Sequence, residues 1–274
     1  MIDPDSFRQF EHQGWQGIPQ QYHQAFGDLT TQSIGPLLDA AGVKEGTKVI
    51  DIATGPGYVA AAAARRGAAV VGVDFSTAMI ADARRRHPDV DFREGDAEHL
   101  PFGDASFEAA VMNFGLLHLG RPDRALAEAC RVLRAGGRFA FTVWAKPEEA
   151  VSFGIVLGAI AKHGDPNVPL PEGPPFFRFS EPEESIRSLV AADFASPHVV
   201  KVPQIWRLPS IDSLFEIMKD STVRTAGLLR GQEAGALIKI REAIRECLTK
   251  YQKPDAVELP MPAILASGVK PRSG

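Results

Sequence analysis

Along the middle of the chain, short apolar runs alternate with stretches in which apolar residues recur every three or four positions. KVIDIA, beginning at Lys48, is a β-branched run and predicts a buried strand. Gly55-Pro56-Gly57 breaks it, and YVAAAAARR predicts a helix. AAVVGVD reads as a second strand, and STAMIADARRRH as a helix with Ser76 as its N-cap. DVDFREGD gives a third strand and turn, and Phe107–Asn113 a fourth strand. An amphipathic helix over Asp123–Leu133, ended by Gly136-Gly137, leads to RFAFTVW as a fifth. Such alternation predicts a parallel sheet covered by helices on both faces. Right-handed crossovers then gather the strand C-termini along one edge, where ligands bind in open sheets of this kind.

The flanks are less regular. Residues 1–34 read as polar and irregular, followed by a short helix near Thr31–Ala41 that stops at Gly42. A helix-like stretch after residue 146 gives way to DPNVPLPEGPPFFRF, whose prolines and glycines oppose regular structure. EPEESIRSLVAADF predicts a helix opened by Ser180, with acids in its first turn. HVVKVPQIWRL and AVELPMPAILASGV read as two strands at one edge, because prolines interrupt both. Between them Leu237, Ile240, Ile244, Cys247, Leu248 and Tyr251 mark one apolar helix face, read as core packing or a dimer contact.

Composition narrows the classes. The 274 residues are 45 % hydrophobic with a net charge of -4, which suits a folded core and argues against a nucleic-acid partner. The one tight basic run, Arg84-Arg85-Arg86, reads as a solvated helix end. Cys130 and Cys247 form no CxxC motif, so neither a disulfide framework nor a metal site is expected. MIDPDSFRQF lacks a basic start and an apolar stretch, and no apolar run is long enough to span a membrane. A cytoplasmic protein is the default expectation.

VIDIATGPGYVA carries G-x-G-x-x-A at Gly55, Gly57 and Ala60, between a strand and a helix. This spacing fits a dinucleotide as well as other nucleosides. Asp74, ending the next strand, suits a ribose-binding acid under either reading. Asp51 discriminates, since a diphosphate at the following helix N-terminus would stand close to its carboxylate. A cationic nucleoside would be favoured there, although Asp51 can also simply cap the turn.

VIDIATGPGY, VVGVDFSTAMI, FREGDAEHLPFGDASFEAAVMNFGLLHL and RVLRAGGRFAFTVW occur in this order over about residues 47–145. Together they resemble the class I S-adenosylmethionine-dependent methyltransferases, in the small-molecule branch similar to the ubiquinone/menaquinone-biosynthesis enzymes. The resemblance implies an α/β, Rossmann-like, doubly wound seven-stranded sheet, mostly parallel with an antiparallel edge strand, plus helical cap insertions. It implies one domain over 1–274, with a core at about 35–145 and cap or acceptor segments at about 1–34, 146–180 and 209–254.

It also implies S-adenosyl-L-methionine as cofactor. Ala53, Thr54, Gly55 and Gly57 would hold its methionine portion, with Asp51 near its cationic end. Asp74 would accept from the ribose hydroxyls, and Phe75 and Met79 would pack on the adenine. Asp96 would accept from the adenine amino group, and Ala97 would offer its N–H. The backbones of Asn113 and Phe114 would approach the methionine part. His118, where this family often has a histidine, can take a proton from the acceptor or serve as a packed structural residue.

Trp15, Tyr22, Phe26, Phe176, Phe177 and Phe179 could form an aromatic cover over the sulfonium, Tyr22 foremost, or only seal the core. The expected partner is a small-molecule acceptor, with a homodimer as a candidate assembly. Two other readings stand beside this one. An NAD(P)-dependent oxidoreductase explains the glycine turn and Asp74 but not Asp51 or GDAEHLPF. A cofactor-binding protein of the same fold without catalysis would need no base.

Overall fold

The computed structural model describes residues 3–272; positions 1, 2, 273 and 274 of the expected single domain lie outside the described residues. The predicted alternation is present. β1 (Lys48–Ile52), β2 (Ala69–Asp74), β3 (Asp91–Glu94), β4 (Phe107–Asn113) and β5 (Leu133–Trp144) pair in parallel in the spatial order β3-β2-β1-β4-β5. The connections include α4 (Tyr58–Arg65), α5 (Thr77–Arg86) and α6 (Pro122–Val132), while α1 (Pro4–Gly17), α2 (Pro19–Thr30) and α3 (Ile34–Ala40) precede β1. Downstream come α7 (Val151–His163), α8 (Pro182–Ala191), β6 (Ala195–Val202), β7 (Ile205–Leu208), α9 (Ser213–Asp220), α10 (Arg224–Arg230), α11 (Ala234–Leu248), β8 (Val257–Pro260) and β9 (Ala263–Val269).

β9 runs antiparallel beside β5, and β6 pairs with it antiparallel at the sheet edge, which completes seven strands. Central side chains such as Ile50, Ile52, Met112, Phe139 and Phe141 are fully buried. Each contributes about 1.5–3 kcal/mol through removal from water.

Residues 4–30 are two helices, not the irregular segment expected. Pro4 occupies the first turn, and the Asp3 carboxylate accepts the N–H groups of Asp5 and Ser6 at 3.1 and 3.3 Å, a complete N-cap. The apolar stripe of α1 is narrow because a buried Glu11 sits where a hydrophobe would be expected, one turn after Phe7. Gln16 docks α1 onto α5 by accepting the Ala78 N–H at 2.8 Å.

Five other expectations need correction. Gly136-Gly137 do not end α6: the chain passes straight from Val132 into β5, and Gly136, at φ +78°, absorbs the register shift between β4 and β5. Ser180 does not cap α8; its hydroxyl donates to the Trp144 carbonyl, and Glu181 holds the N-cap position.

Each of the two proline-broken strands splits in two. β7 and β8 leave the sheet at Pro203 and Pro262 and form a separate ribbon, because proline offers no N–H for a continuous ladder. That ribbon seats on α2, where the Trp206 indole donates to the Ala25 carbonyl at 3.0 Å and stacks on Phe26.

The arginine run is also less solvated than expected. Arg84 donates to the Phe92 carbonyl, and Arg86 pairs with Asp82 and His23. In α11, Ile240, Ile244 and Leu248 are buried against α7 while Cys247 is exposed, so the buried stripe is narrower than the expected face.

Candidate functional site

β1, β2 and β4 deliver Asp51, Asp74 and Asn113 to the same sheet edge, and Asp96 follows two residues after β3. Above this edge lies a cavity with about 1320 Å³ of atom-free space, open mouth included. Tyr22, Asp51, Ala53, Thr54, Gly55, Asp74, Phe75, Met79, Asp96, Ala97, Asn113, Phe114 and His118 all line it. Gly57 does not, contrary to the expectation that it opens the backbone to a ligand. A Cβ there would stand 2.5 Å from Phe92 Cζ, so the residue secures close packing behind the turn, and its φ of +83° carries the chain into α4.

Both carboxylates at the glycine turn are buried and hydrogen-bonded. Asp51 Oδ2 accepts the Thr54 hydroxyl at 2.5 Å and the Ala60 N–H at 3.0 Å, so it does cap the turn. Asp74 Oδ2 accepts the Gly55 N–H and its Oδ1 the Ser76 N–H, each at 2.9 Å. Burial pushes the Asp51 carboxyl up to about 7 and the Asp74 carboxyl up to about 6, against the opposing pull of these donors.

A diphosphate at this turn would find the Gly55 N–H already taken and two acids beside it. The lining guanidinium groups, Arg8 and Arg224, are paired with Asp96 and Glu11. The electrostatics thus favour a cationic or donor-rich ligand over a dinucleotide.

Asp96 accepts the Glu98 N–H at 2.9 Å through Oδ1 and Arg8 Nη2 at 2.8 Å through Oδ2. The neighbouring Ala97 N–H has no hydrogen-bond partner among the described residues, although Ala97 is buried. Gly55, at φ +52°, has open space where a Cβ would project. A buried free N–H, an open glycine and water-poor carboxylates form a coherent donor and acceptor set for a nucleoside with a cationic tail.

The strand ends are held in unusual conformations. Ala53 and Phe114 both lie in the left-handed region at φ 55°, which costs about 1–3 kcal/mol per residue and concentrates at functional sites. The Asn113 side chain is tied down on both ends: its Oδ1 accepts the Ser33 and Thr142 hydroxyls, and its Nδ2 donates to the Thr30 carbonyl. It fastens the end of α2 to the sheet.

The aromatic cover is partly as expected. Trp15, Tyr22, Phe26 and Phe176 line the cavity, joined by Trp144 and Phe153, which sequence reasoning missed. Phe177 and Phe179 are absent from its wall: Phe177 packs on Phe153, and Phe179 is buried against Phe141. Burial pushes the Tyr22 hydroxyl up to about 12.

His118 lies in a single 3₁₀ turn after β4, and its Nδ1 meets Glu11 Oε2 at 3.0 Å. Glu11, Arg8 and Arg224 also escaped the sequence reading. The available signal was the Asp3-Pro4 helix start, which would have placed Arg8, Glu11 and Trp15 on one helix.

Residues 50–141 match a family described as a methyltransferase domain. Demethylmenaquinone methyltransferase from Paenarthrobacter aurescens (strain TC1) is 43 % identical over 111 residues, covering 40 % of this chain and 44 % of that protein. The enzyme of the same name from Beutenbergia cavernae is 44 % identical over 110 residues, covering 40 % and 46 %. The chain thus spans under half the length of these curated relatives.

Among solved structures, the YcgJ protein from Bacillus subtilis shares the fold at a TM-score of 0.55 and 24 % identity, covering 88 % of this chain and 99 % of that one. A Haemonchus contortus phosphoethanolamine N-methyltransferase 2, solved with phosphomonomethylethanolamine and S-adenosylhomocysteine, aligns at 0.60 and 20 %, covering 98 % and 61 %. The segment 50–141 is thus similar to a methyltransferase domain, and the seven-stranded sheet that carries it has the Rossmann-like fold of these solved structures.

Proposed function

We propose that this protein transfers a methyl group from S-adenosyl-L-methionine to a small, largely apolar acceptor. The observation that carries the reading is the pair of buried carboxyls, Asp51 and Asp74, hydrogen-bonded into the glycine turn. The cofactor supplies an electrophilic methyl on a cationic sulfur. In this reading Asp74 accepts from the ribose hydroxyls, Asp96 and the Ala97 N–H meet the adenine edge, and Phe75 and Met79 flank the ring. Ala53, Thr54, Gly55 and the backbones of Asn113 and Phe114 surround the methionine portion, with Asp51 beneath. Gly57 supports the turn from behind.

The remaining wall is aromatic, with Trp144 stacked on Phe114 at 4.0 Å between centroids. It excludes water and suits a flat apolar acceptor, in keeping with the demethylmenaquinone in the names of the core relatives. The chain acts as one catalytic unit in the cytoplasm, with no nucleic-acid partner and a homodimer as its candidate assembly. Among the described residues no helix is long and apolar enough to cross a membrane, and no cluster of His, Cys, Asp and Glu is arranged for a metal.

Calorimetry with S-adenosylhomocysteine and NAD⁺, followed by turnover of a labelled methyl group on a panel of apolar quinols, tests the proposal. Binding of the first alone, with label entering an acceptor, is expected. NAD⁺ binding in its place overturns the reading, and cofactor binding with no acceptor labelled favours the non-catalytic alternative.

A further inference from the structure

Glu11 is fully buried at the middle of α1, yet its carboxylate joins three separate parts of the chain. Oε2 accepts the Trp15 indole N–H at 3.0 Å and meets His118 Nδ1 at 3.0 Å; Oε1 accepts Arg224 Nε at 3.3 Å. Building on the methyl-transfer reading above, we propose that Glu11 is a positioning residue that holds His118 as the base for the acceptor's proton.

A carboxylate sealed from water is tolerable only when donors surround it, and Arg224 supplies the compensating charge. Its presence keeps Glu11 an acceptor, so the proton shared with His118 stays on Nδ1. The lone pair is then fixed on Nε2, as in other carboxylate–histidine pairs. Nε2 makes no hydrogen bond among the described residues and is not sealed inside the protein, and His118 lines the cavity. The ring stands edge-on to Trp15 at 4.8 Å and lies 5.9 Å from Phe176, within the aromatic half of the wall.

The charges facing His118 are Glu11 from α1, Asp74 from the end of β2, and Arg224 on the far side of Glu11. The acceptor this arrangement serves is an apolar molecule with a weakly acidic hydroxyl. Its proton passes to Nε2, the bonding pair stays on the acceptor oxygen, the Nδ1 proton stays shared with Glu11, and the Nε2 proton is later released to water.

The test is a ¹H–¹⁵N titration of the His118 ring in the unliganded full chain, for wild type, Glu11→Gln and Glu11→Asp, with His118→Gln providing the assignment. The wild-type ring should be protonated on Nδ1. Glu11→Gln should lower the histidine pKa by about one unit, a tenfold change in proton affinity, and Glu11→Asp should restore most of it. In turnover, Glu11→Gln and His118→Gln should each reduce kcat by about 10²-fold or more, with S-adenosylhomocysteine affinity unchanged.

An unchanged His118 titration in Glu11→Gln, or a wild-type ring protonated on Nε2, overturns the assignment. The wild-type tautomer and His118→Gln still decide it if Glu11→Gln does not fold. Wild-type protein that fails to bind S-adenosylhomocysteine defeats the methyl-transfer reading instead, with the ring titration intact as a separate result.

Discussion

The Asp74 carboxylate and the Gly55 backbone N–H meet at 2.9 Å across 19 residues of sequence. The contact fixes the glycine turn to the end of the neighbouring strand, so one acid both shapes the turn and faces the cavity. Asp74→Asn places an amide where two N–H groups, from Gly55 and Ser76, now find acceptors. Affinity for S-adenosylhomocysteine should fall by about 2–4 kcal/mol, the scale of lost hydrogen bonds to a charged group. Calorimetry on the variant checks this, and unchanged affinity would remove Asp74 from the ribose.

Two glycines close to this contact should separate stability from binding. Gly72 lies within β2, and a Cβ there would stand 2.6 Å from Phe92 Cδ1 and 2.7 Å from Thr54 Oγ1. Gly72→Ala should therefore lower stability by about 1–3 kcal/mol through overpacking. Gly55→Ala meets open space but must keep φ +52°, at a cost of about 1–2 kcal/mol, and its methyl enters the cavity. Thermal melts should show both losses, while only Gly55→Ala should also weaken the ligand directly. Equal loss of ligand affinity in the two variants would contradict this division.

The raised carboxyls give the unliganded protein a pH signature. Asp51 at about 7 and Asp74 at about 6 bind protons more tightly folded than at the ordinary value of 3.8. Their contribution to stability is therefore fully present below pH 3.8 and is lost as pH rises through 6 to 7. A cationic ligand prefers the ionised acids, so its stabilising effect should grow over the same window. Melting curves from pH 5 to 8, with and without S-adenosyl-L-methionine, measure both slopes. A ligand-induced shift independent of pH would show that neither carboxyl titrates in contact with the ligand.

The central sheet was legible because its information is local. KVIDI, AVVGVD and FEAAVMN are continuous apolar runs, and buried parallel strands need no more than that. The three acids were legible for the same reason, since each lies in or just after a strand that could be read by itself. The cap was not. α1 is polar around most of its surface, and its buried acid, Glu11, makes sense only beside His118, 107 residues away. The split of the last strands depended on Pro203 and Pro262 falling at the boundary between sheet and ribbon, which spacing alone could not distinguish from a distorted edge.

The pairing of Glu11 with Arg224 spans 213 residues, and it joins the first helix to one of the later ones. Closing so long a loop is slow, and it yields little until the intervening sheet has brought its ends together. Folding of this protein should therefore pass through a chain whose sheet has formed while its roof is still loose, and ligand recognition should be among the last properties it acquires.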